Sequence, residues 1–444
     1  MMVTTPRARA GVGRIVAGSM AAGLVAALAL PFAPFIEAEE KEVTAAVLLG
    51  FALGWALLAV LSVRLSDQPQ RWAVAPALFM GLAGGVLLIG SDAFVHGVLS
   101  WVWPPALLAL AIWIFVRARR QLYSRTRSWL LNPVLAVMVL AAVGGGYETV
   151  RESLDAEVYA MPGQLVDVGG HEMHLYCRGS GSPTVVLEPG AGEMSSYLGW
   201  VAPVVARDTR VCVYDRAGRG WSESADGLQD GARIAADLHT LLQRGEGPGP
   251  YVLAGHSFGG LYVLSFAAQY PEDVSGMVLV DSTAPATNET PAATPGSYDA
   301  MGRVSALLSA SARLGTARVL GQFSYGSLPP QSRGEARART ATASHVASWV
   351  DEYVAASSSV RAANALGNFD GKPLVVLTAG RGSSEAWFTK QKAMAALSTN
   401  SVHRVVAEAT HASMLEDQDD AAAVTQAITD VVASVRSGTP LVTP

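Results

Sequence analysis

Four side chains of this 444-residue chain, in the order Ser257, Asp281, Glu385, His411, have the types and spacing for nucleophilic chemistry. Ser257 lies in Gly255-His256-Ser257-Phe258-Gly259, a G-x-S-x-G sequence directly after the apolar run Tyr251 to Ala254 and directly before the helix-like run Phe258 to Gln269. A serine on a tight turn from strand to helix projects its hydroxyl above the sheet, and the flanking glycines avoid a collision between side chain and backbone. The helix N-terminus behind it favours developing negative charge. His411 follows the last strand-like run and precedes the last helical one. One of its ring nitrogens can take the serine proton while the other donates to a carboxylate that holds the tautomer. Two carboxylates compete for that role. Asp281 ends the run Gly276 to Val280 and Glu385 lies just past the run Leu374 to Thr378. Asp281 is favoured, because Glu385 has a ready alternative use as a negative charge at a helix start. An oxyanion hole needs two backbone N–H groups aimed at one point. The N–H of Phe258 is one, and Ala191, in Glu188-Pro189-Gly190-Ala191-Gly192, supplies the other.

Positioning these groups requires a sheet. From Pro162-Gly163 onward, short β-rich runs alternate with helical ones: Gln164 to Val168, His171 to Tyr176, Thr184 to Leu187, Arg210 to Tyr214, Tyr251 to Ala254, Met277 to Val280, Leu374 to Thr378 and Val402 to Ala407. Helical stretches near Tyr197 to Val205, Gln229 to Gln243, Phe258 to Gln269, Glu385 to Leu397 and Ala421 to Val435 separate the later runs. Such alternation predicts an α/β domain with a mostly parallel sheet covered by helices on both faces. Between Asp281 and Gly371 no good strand appears. The Pro/Thr-rich Thr283 to Pro295 leads into helix-like Ala300 to Leu314, Gly334 to Ser344 and Ala347 to Leu366, so residues 283–370 read as a helical lid. His171 and His174, three apart on a predicted strand, point to opposite faces and do not jointly hold a metal. The reading calls for no cofactor and no metal.

The first third is a different kind of chain. Half of the residues are hydrophobic, and five apolar runs fall before residue 150: Ile15 to Ile36, Val43 to Val63, Trp72 to Gly90, Val98 to Val116 and Trp129 to Tyr147. Each is long enough to cross a hydrocarbon core as a helix. A cleaved signal peptide would account for the first run only, not for the four that follow. Arginines at 7, 9 and 14, at 64 and 71, and at 117, 119, 120, 125 and 127 mark alternate connections. Basic connections stay cytoplasmic, so the amino terminus is expected inside and everything beyond Tyr147 outside. Trp72, Trp101, Trp103 and Trp129 suit interfacial anchors, and Asp92 and His96 read as residues of a solvated outer loop. The domain plan is thus a membrane region at 1–147, a charged connector at 148–161, the α/β domain at 162–436 and a short tail at 437–444. A net charge of −5 and a pI near 5.9 leave no basic footprint for nucleic acid.

Residues 164–436 resemble the α/β-hydrolase fold family. Besides the elbow, Tyr214-Asp215-Arg216-Ala217-Gly218-Arg219-Gly220-Trp221-Ser222 is similar to the D-R-x-G-x-G-x-S turn after that family's fourth strand. Pro189-Gly190 stands where many members carry His-Gly, so the resemblance keeps the backbone role of Ala191 without the helper histidine. Ser383 falls where the family usually places its aspartate, which favours Asp281, since a subset of members carries the acid after the preceding strand. Members that open epoxides or displace halides use an aspartate nucleophile, and Ser257 argues against both activities. The family's strand order sets the second and fourth strands antiparallel and adjacent, which implies that Cys177 and Cys212 lie side by side and, in an outer compartment, form a disulfide.

The expected protein is a membrane-anchored serine hydrolase acting on a small-molecule ester or related acyl bond, with the lipid bilayer as its other partner. Proline-aminopeptidase-like amide cleavage is the rival within the enzyme class. A transporter or sensor with a ligand-binding hydrolase-like domain is the rival outside it, disfavoured by an intact Ser257 and His411 and by the scarcity of charge in the spans. Lid aromatics Tyr298, Phe323, Tyr325, Trp349 and Tyr353 hint at an acyl or aromatic group.

Overall fold

The computed structural model describes residues 11–91, 95–121, 131–285 and 299–442. Arg7, Arg9, Asp92, Arg125, Arg127, Trp129, Tyr298 and most of the Pro/Thr-rich stretch lie outside them. The chain divides into two compact units: residues 1–154 with 296–316, and residues 155–295 with 317–444.

Among the described residues, five helical segments are long and apolar enough to cross a membrane, and all of them lie in the first unit or begin in it: Val12–Phe32, Glu40–Leu65, Arg71–Ile89, Gly97–Gln121 and Asn132–Val158. The first two pack with backbones almost touching. A Cβ on Gly50 would sit 2.3 Å from Ala27 N and one on Gly54 2.8 Å from Gly23 Cα. Small residues four apart, Gly50 and Gly54, therefore make the groove that a second helix enters. Trp72 is buried with its ring near those of Trp55 and Trp113, and Trp103 stacks on Phe79 at 4.5 Å. Both are packing residues of the bundle. Trp101 is exposed.

Two expected boundaries shift. The helix Asn132–Val158 runs on through most of the stretch read as a connector. The insertion read as one lid divides between the units. Its first helix, Ala300–Ala312, belongs to the first unit and packs against Glu40–Leu65. The cause is polar: Arg303 donates to the carbonyls of Ala33 and Ile36, Ser309 Oγ donates to Glu40 at 2.9 Å, and Arg313 is ion-paired with Glu40.

The second unit is built on an eight-stranded sheet of order β1-β2-β4-β3-β5-β6-β7-β8. Its strands are β1 Gln164–Asp167, β2 Glu172–Arg178, β3 Val185–Glu188, β4 Val211–Tyr214, β5 Tyr251–His256, β6 Val274–Val280, β7 Leu374–Ala379 and β8 Ser401–Val406. The pairs β1–β2 and β2–β4 are antiparallel and the rest are parallel. The central strands are buried on both faces, as the Val-rich runs Val185-Val186-Leu187 and Val211-Cys212-Val213 require. Two apolar cores result. Helices Gly231–Gly245 and Phe258–Gln269 close one face around Leu238, Leu253 and Phe266, and Gln418–Ser437 closes the other around Val278, Val375 and Ile428. Cys177 faces Cys212 in the β2–β4 register and the two are joined by a disulfide.

Candidate active site

At the end of β5 the backbone reverses within one residue. Ser257 has φ 53° and ψ −121°, and helix Phe258–Gln269 starts directly after it. A side-chain-bearing residue in that region is strained by about 1–3 kcal/mol, sustained only where the surroundings force it. Here they do. A Cβ on Gly255 would lie 2.5 Å from Gly259 O, and one on Gly259 would lie 2.4 Å from Glu188 O. Serine is therefore the first residue after β5 with a side chain free to leave the turn. Its N–H is held by Val280 O at 3.1 Å, and its carbonyl accepts from Thr283 N at 2.9 Å.

Asp281 follows β6 directly and adopts φ 42°. Its carboxylate is buried and accepts three hydrogen bonds: from His411 Nδ1 at 2.6 Å, from Trp387 Nε1 at 2.7 Å and from the Ala379 N–H at 3.2 Å. Burial pushes this carboxyl up, but the bonds from His411 and Trp387 outweigh it and hold the group below its ordinary value. Glu385 is exposed at the first turn of helix Glu385–Ala395 and has no bond to His411 among the described residues. Of the two rival carboxylates, Asp281 is the one in contact with the histidine. With Nδ1–H given to Asp281, the other nitrogen of half-exposed His411 is left as a base.

His256, next to the serine, joins the histidine loop to the loop after β3. Its Nε2 lies 3.0 Å from the carbonyl of His411, and its Nδ1 lies 3.1 Å from Glu193, a carboxylate that also accepts from the Gly190 N–H. A carbonyl and a carboxylate only accept, so the two contacts are both satisfied by the imidazolium form of His256, which the negative charge of Glu193 favours. Burial alone would lower the His256 pKa; the charge and hydrogen bond of Glu193 raise it. The converse holds for Glu193, which burial pushes up and His256 brings below its ordinary value. The His256 and His411 ring centroids are 4.7 Å apart. Ser257 Oγ makes no hydrogen bond among the described residues.

In the loop after β3, Gly190 N–H is engaged by Glu193 and Gly192 N–H by Glu352 at 3.1 Å. Ala191 N–H, between them, and Phe258 N–H, after the serine, have no partner among the described residues. The aspartate of the D-R-x-G-x-G-x-S turn is a scaffold group: buried Asp215 accepts from Ser195 N at 2.7 Å and from His174 Nδ1 at 2.8 Å. Glu193, His256 and Trp387 carried no sequence signal beyond proximity. Among the described residues the one group of cysteine and carboxylate ligands close enough for a metal is Cys177, Cys212 and Glu246, whose thiols are already joined.

Comparison with known proteins places this geometry. A chain of Schizosaccharomyces pombe, uncharacterized, is 31% identical over 222 residues, 43% of this chain and 39% of its own length. The 2-hydroxy-6-oxo-2,4-heptadienoate hydrolase of Pseudomonas putida is 32% identical over 131 residues, 28% of this chain and 45% of that enzyme. The chain thus spans less than half of the length of these relatives. Among solved structures, the Cif epoxide hydrolase from Acinetobacter nosocomialis aligns over 66% of this chain and 96% of its own, with a TM-score of 0.51 at 17% identity, a likeness of fold alone. The sequence model of the alpha/beta hydrolase fold matches residues 183–418, more than half of the chain, from β3 past the histidine loop. The chain belongs to the α/β-hydrolase fold family.

Proposed function

We propose that the protein is a serine hydrolase that cleaves an ester or related acyl bond through an acyl-enzyme, with Ser257 as nucleophile, His411 as general base and acid, and Asp281 as the orienting acid. The observation that carries this reading is the 2.6 Å contact from His411 Nδ1 to a buried Asp281 carboxylate, beside a strained serine that heads a helix. In the first step the free nitrogen of His411 takes the Ser257 proton as Oγ attacks the acyl carbon. The imidazolium that forms is stabilised by Asp281, which stays ionised because its pKa is already depressed. Negative charge then gathers on the former carbonyl oxygen, and the two unengaged N–H groups of Ala191 and Phe258 receive it. His411 returns the proton to the leaving group, and a water repeats the sequence to release the acid. Contact between Oγ and the base commonly tightens only when substrate is bound, which accords with a serine hydroxyl that has no partner among the described residues.

The reading includes anchoring by five membrane spans with the hydrolase unit extracytoplasmic. The arginine distribution supports this orientation. So does the docking of helix Ala300–Ala312 on Ile36, between the first two spans, and on Glu40, the first residue of the second, since the same rule puts that end of both spans outside. A fluorophosphonate probe on the detergent-purified chain is the test. Labelling should map to Ser257 and vanish in Ser257→Ala, and equal labelling of both would overturn the assignment. A panel of p-nitrophenyl esters and aminoacyl amides then separates ester from amide preference.

A further inference from the structure

Gly192 is held at both of its polar atoms by one helix of the insertion, Ala343–Val354. His345 Nε2 lies 3.1 Å from Gly192 O, and Glu352 accepts from Gly192 N at 3.1 Å. Between them the Trp349 indole lies so close that a Cβ on Gly192 would be 2.7 Å from its ring. His345, Trp349 and Glu352 are spaced i, i+4, i+7, which is one face of the helix, so this face is moulded to the loop that carries Ala191.

Glu352 reaches further than Gly192. Its second oxygen pairs with Arg216 Nε at 2.8 Å, and Arg219 Nη2 stands 2.6 Å from the first as an ion pair. Arg216 is buried. Its two terminal nitrogens donate to Pro189 O at 2.8 Å and to Gly190 O at 2.6 Å, and it is also paired with buried Glu188. The Gly190 carbonyl and the Ala191 N–H belong to the same peptide unit. That peptide is trans, so the two point in opposite directions. Whatever fixes the carbonyl therefore fixes the N–H.

The structure assigns Glu352 and Arg216 as positioning residues: Arg216 pins the Gly190 carbonyl and thereby aims the Ala191 N–H at the oxyanion, and Glu352 ties that aim to the seating of the Ala343–Val354 helix. The assignment rests on the acyl-transfer role proposed for Ser257. The oxyanion hole is complete only while this helix sits on the loop, so a displacement of the helix on substrate entry would switch the hole off without touching Ser257 or His411. None of these groups contacts the reacting atoms; they act through one peptide.

The test is the rate of fluorophosphonate labelling at Ser257 in the full chain, which reads oxyanion stabilisation without knowledge of the natural substrate. Glu352→Gln keeps the shape but removes one of the two carboxylate charges that hold Arg216, the one supplied by the helix. It should slow both labelling and p-nitrophenyl ester kcat by roughly 10- to 100-fold, below the cost of deleting an oxyanion donor outright, with KM changed less than threefold. Arg216→Lys should do the same, and the double variant should be no slower than the slower single, since both act on one carbonyl. Glu352→Asp, which retains the charge, should recover part of the rate. Should Glu352→Gln not fold, the Asp variant and Arg216→Lys carry the same test. Wild-type labelling rates in the folded variants, or multiplicative losses in the double variant, would overturn the positioning role while leaving Ser257 as nucleophile. Absence of wild-type labelling at Ser257 would overturn the serine-hydrolase reading and this inference together.

Discussion

An aspartate and an exposed glutamate compete for the same histidine in the sequence, and their surroundings separate them. Asp281 receives three hydrogen bonds in a buried position, whereas Glu385 stands at a helix start. Asp281→Asn should lower kcat by about 10⁴, because the imidazole loses both its tautomer and its counter-charge. Glu385→Gln should stay within about tenfold, since a charge at a helix start contributes about 0.3–1 kcal/mol. Ester hydrolysis by the two variants decides, and a reversal of their order would move the acid to the turn after β7. The His256–Glu193 pair makes a second prediction, in pH. The raised His256 pKa gives a contribution to stability that is full below the ordinary histidine range and is lost as pH rises through the raised value. The lowered Glu193 pKa gives one that is present above the ordinary carboxylate range and is lost as pH falls through the lowered value. The thermal midpoint should therefore be flat between these limits and decline on the alkaline side. In Glu193→Gln the alkaline decline should shrink to the part owed to His174, which Asp215 holds raised against burial, and the midpoint should drop throughout, by an amount on the order of the 3–5 kcal/mol lost when one member of a buried pair is removed. An alkaline limb identical to wild type would show that the pair does not stabilise the fold.

At the scale of elements, the elbow depends on the approach of helix Phe258–Gln269 to the ends of β3 and β5. Gly259 has no room for a methyl group, and its nearest neighbour is backbone, the Glu188 carbonyl, which cannot rotate aside. Gly259→Ala should cost about 1–3 kcal/mol through overpacking and should also displace Phe258 N–H from the oxyanion. Thermal melts and fluorophosphonate labelling should both fall. An alanine variant that melts and labels like wild type would mean that the helix can slide without consequence. The strands and most helices of the α/β unit were legible because their apolar runs have the period of the element they form. Trp387 and Glu352 were not, since their partners lie about 106 and 136 residues away along the chain.

For the whole molecule, the two cysteines offer a probe of compartment as well as of stability. They close a loop with a sequence separation of 35 between the adjacent, antiparallel strands β2 and β4. A bridge of that span stabilises by about 3–4 kcal/mol in the chain-entropy picture. Such bonds persist in oxidising compartments, so thiols resistant to alkylation in the unreduced protein are expected if the hydrolase unit is extracytoplasmic. Cys177→Ser with Cys212→Ser should lower the denaturation midpoint. Protease added to intact cells should cleave the hydrolase unit, and cleavage only after permeabilisation would reverse the orientation.

Length, apolar runs and arginine placement were sufficient to read five candidate spans, because a helix must be long and uncharged to lie in hydrocarbon, and that is a property of consecutive residues. The same holds for the elbow, where strand, glycine, serine and helix are contiguous. What the residues in order could not decide was which carboxylate meets His411, how the insertion divides, and what orients Ala191. Each of these depends on groups far apart in the chain. Asp281 and His411 are 130 residues apart, and Arg216 meets Glu352 across 136. Their contacts exist because β6, β7 and β8 lie side by side and because a helix after β6 returns over the loop after β3. That juxtaposition is a product of parallel strand order, and no local pattern of polarity encodes it.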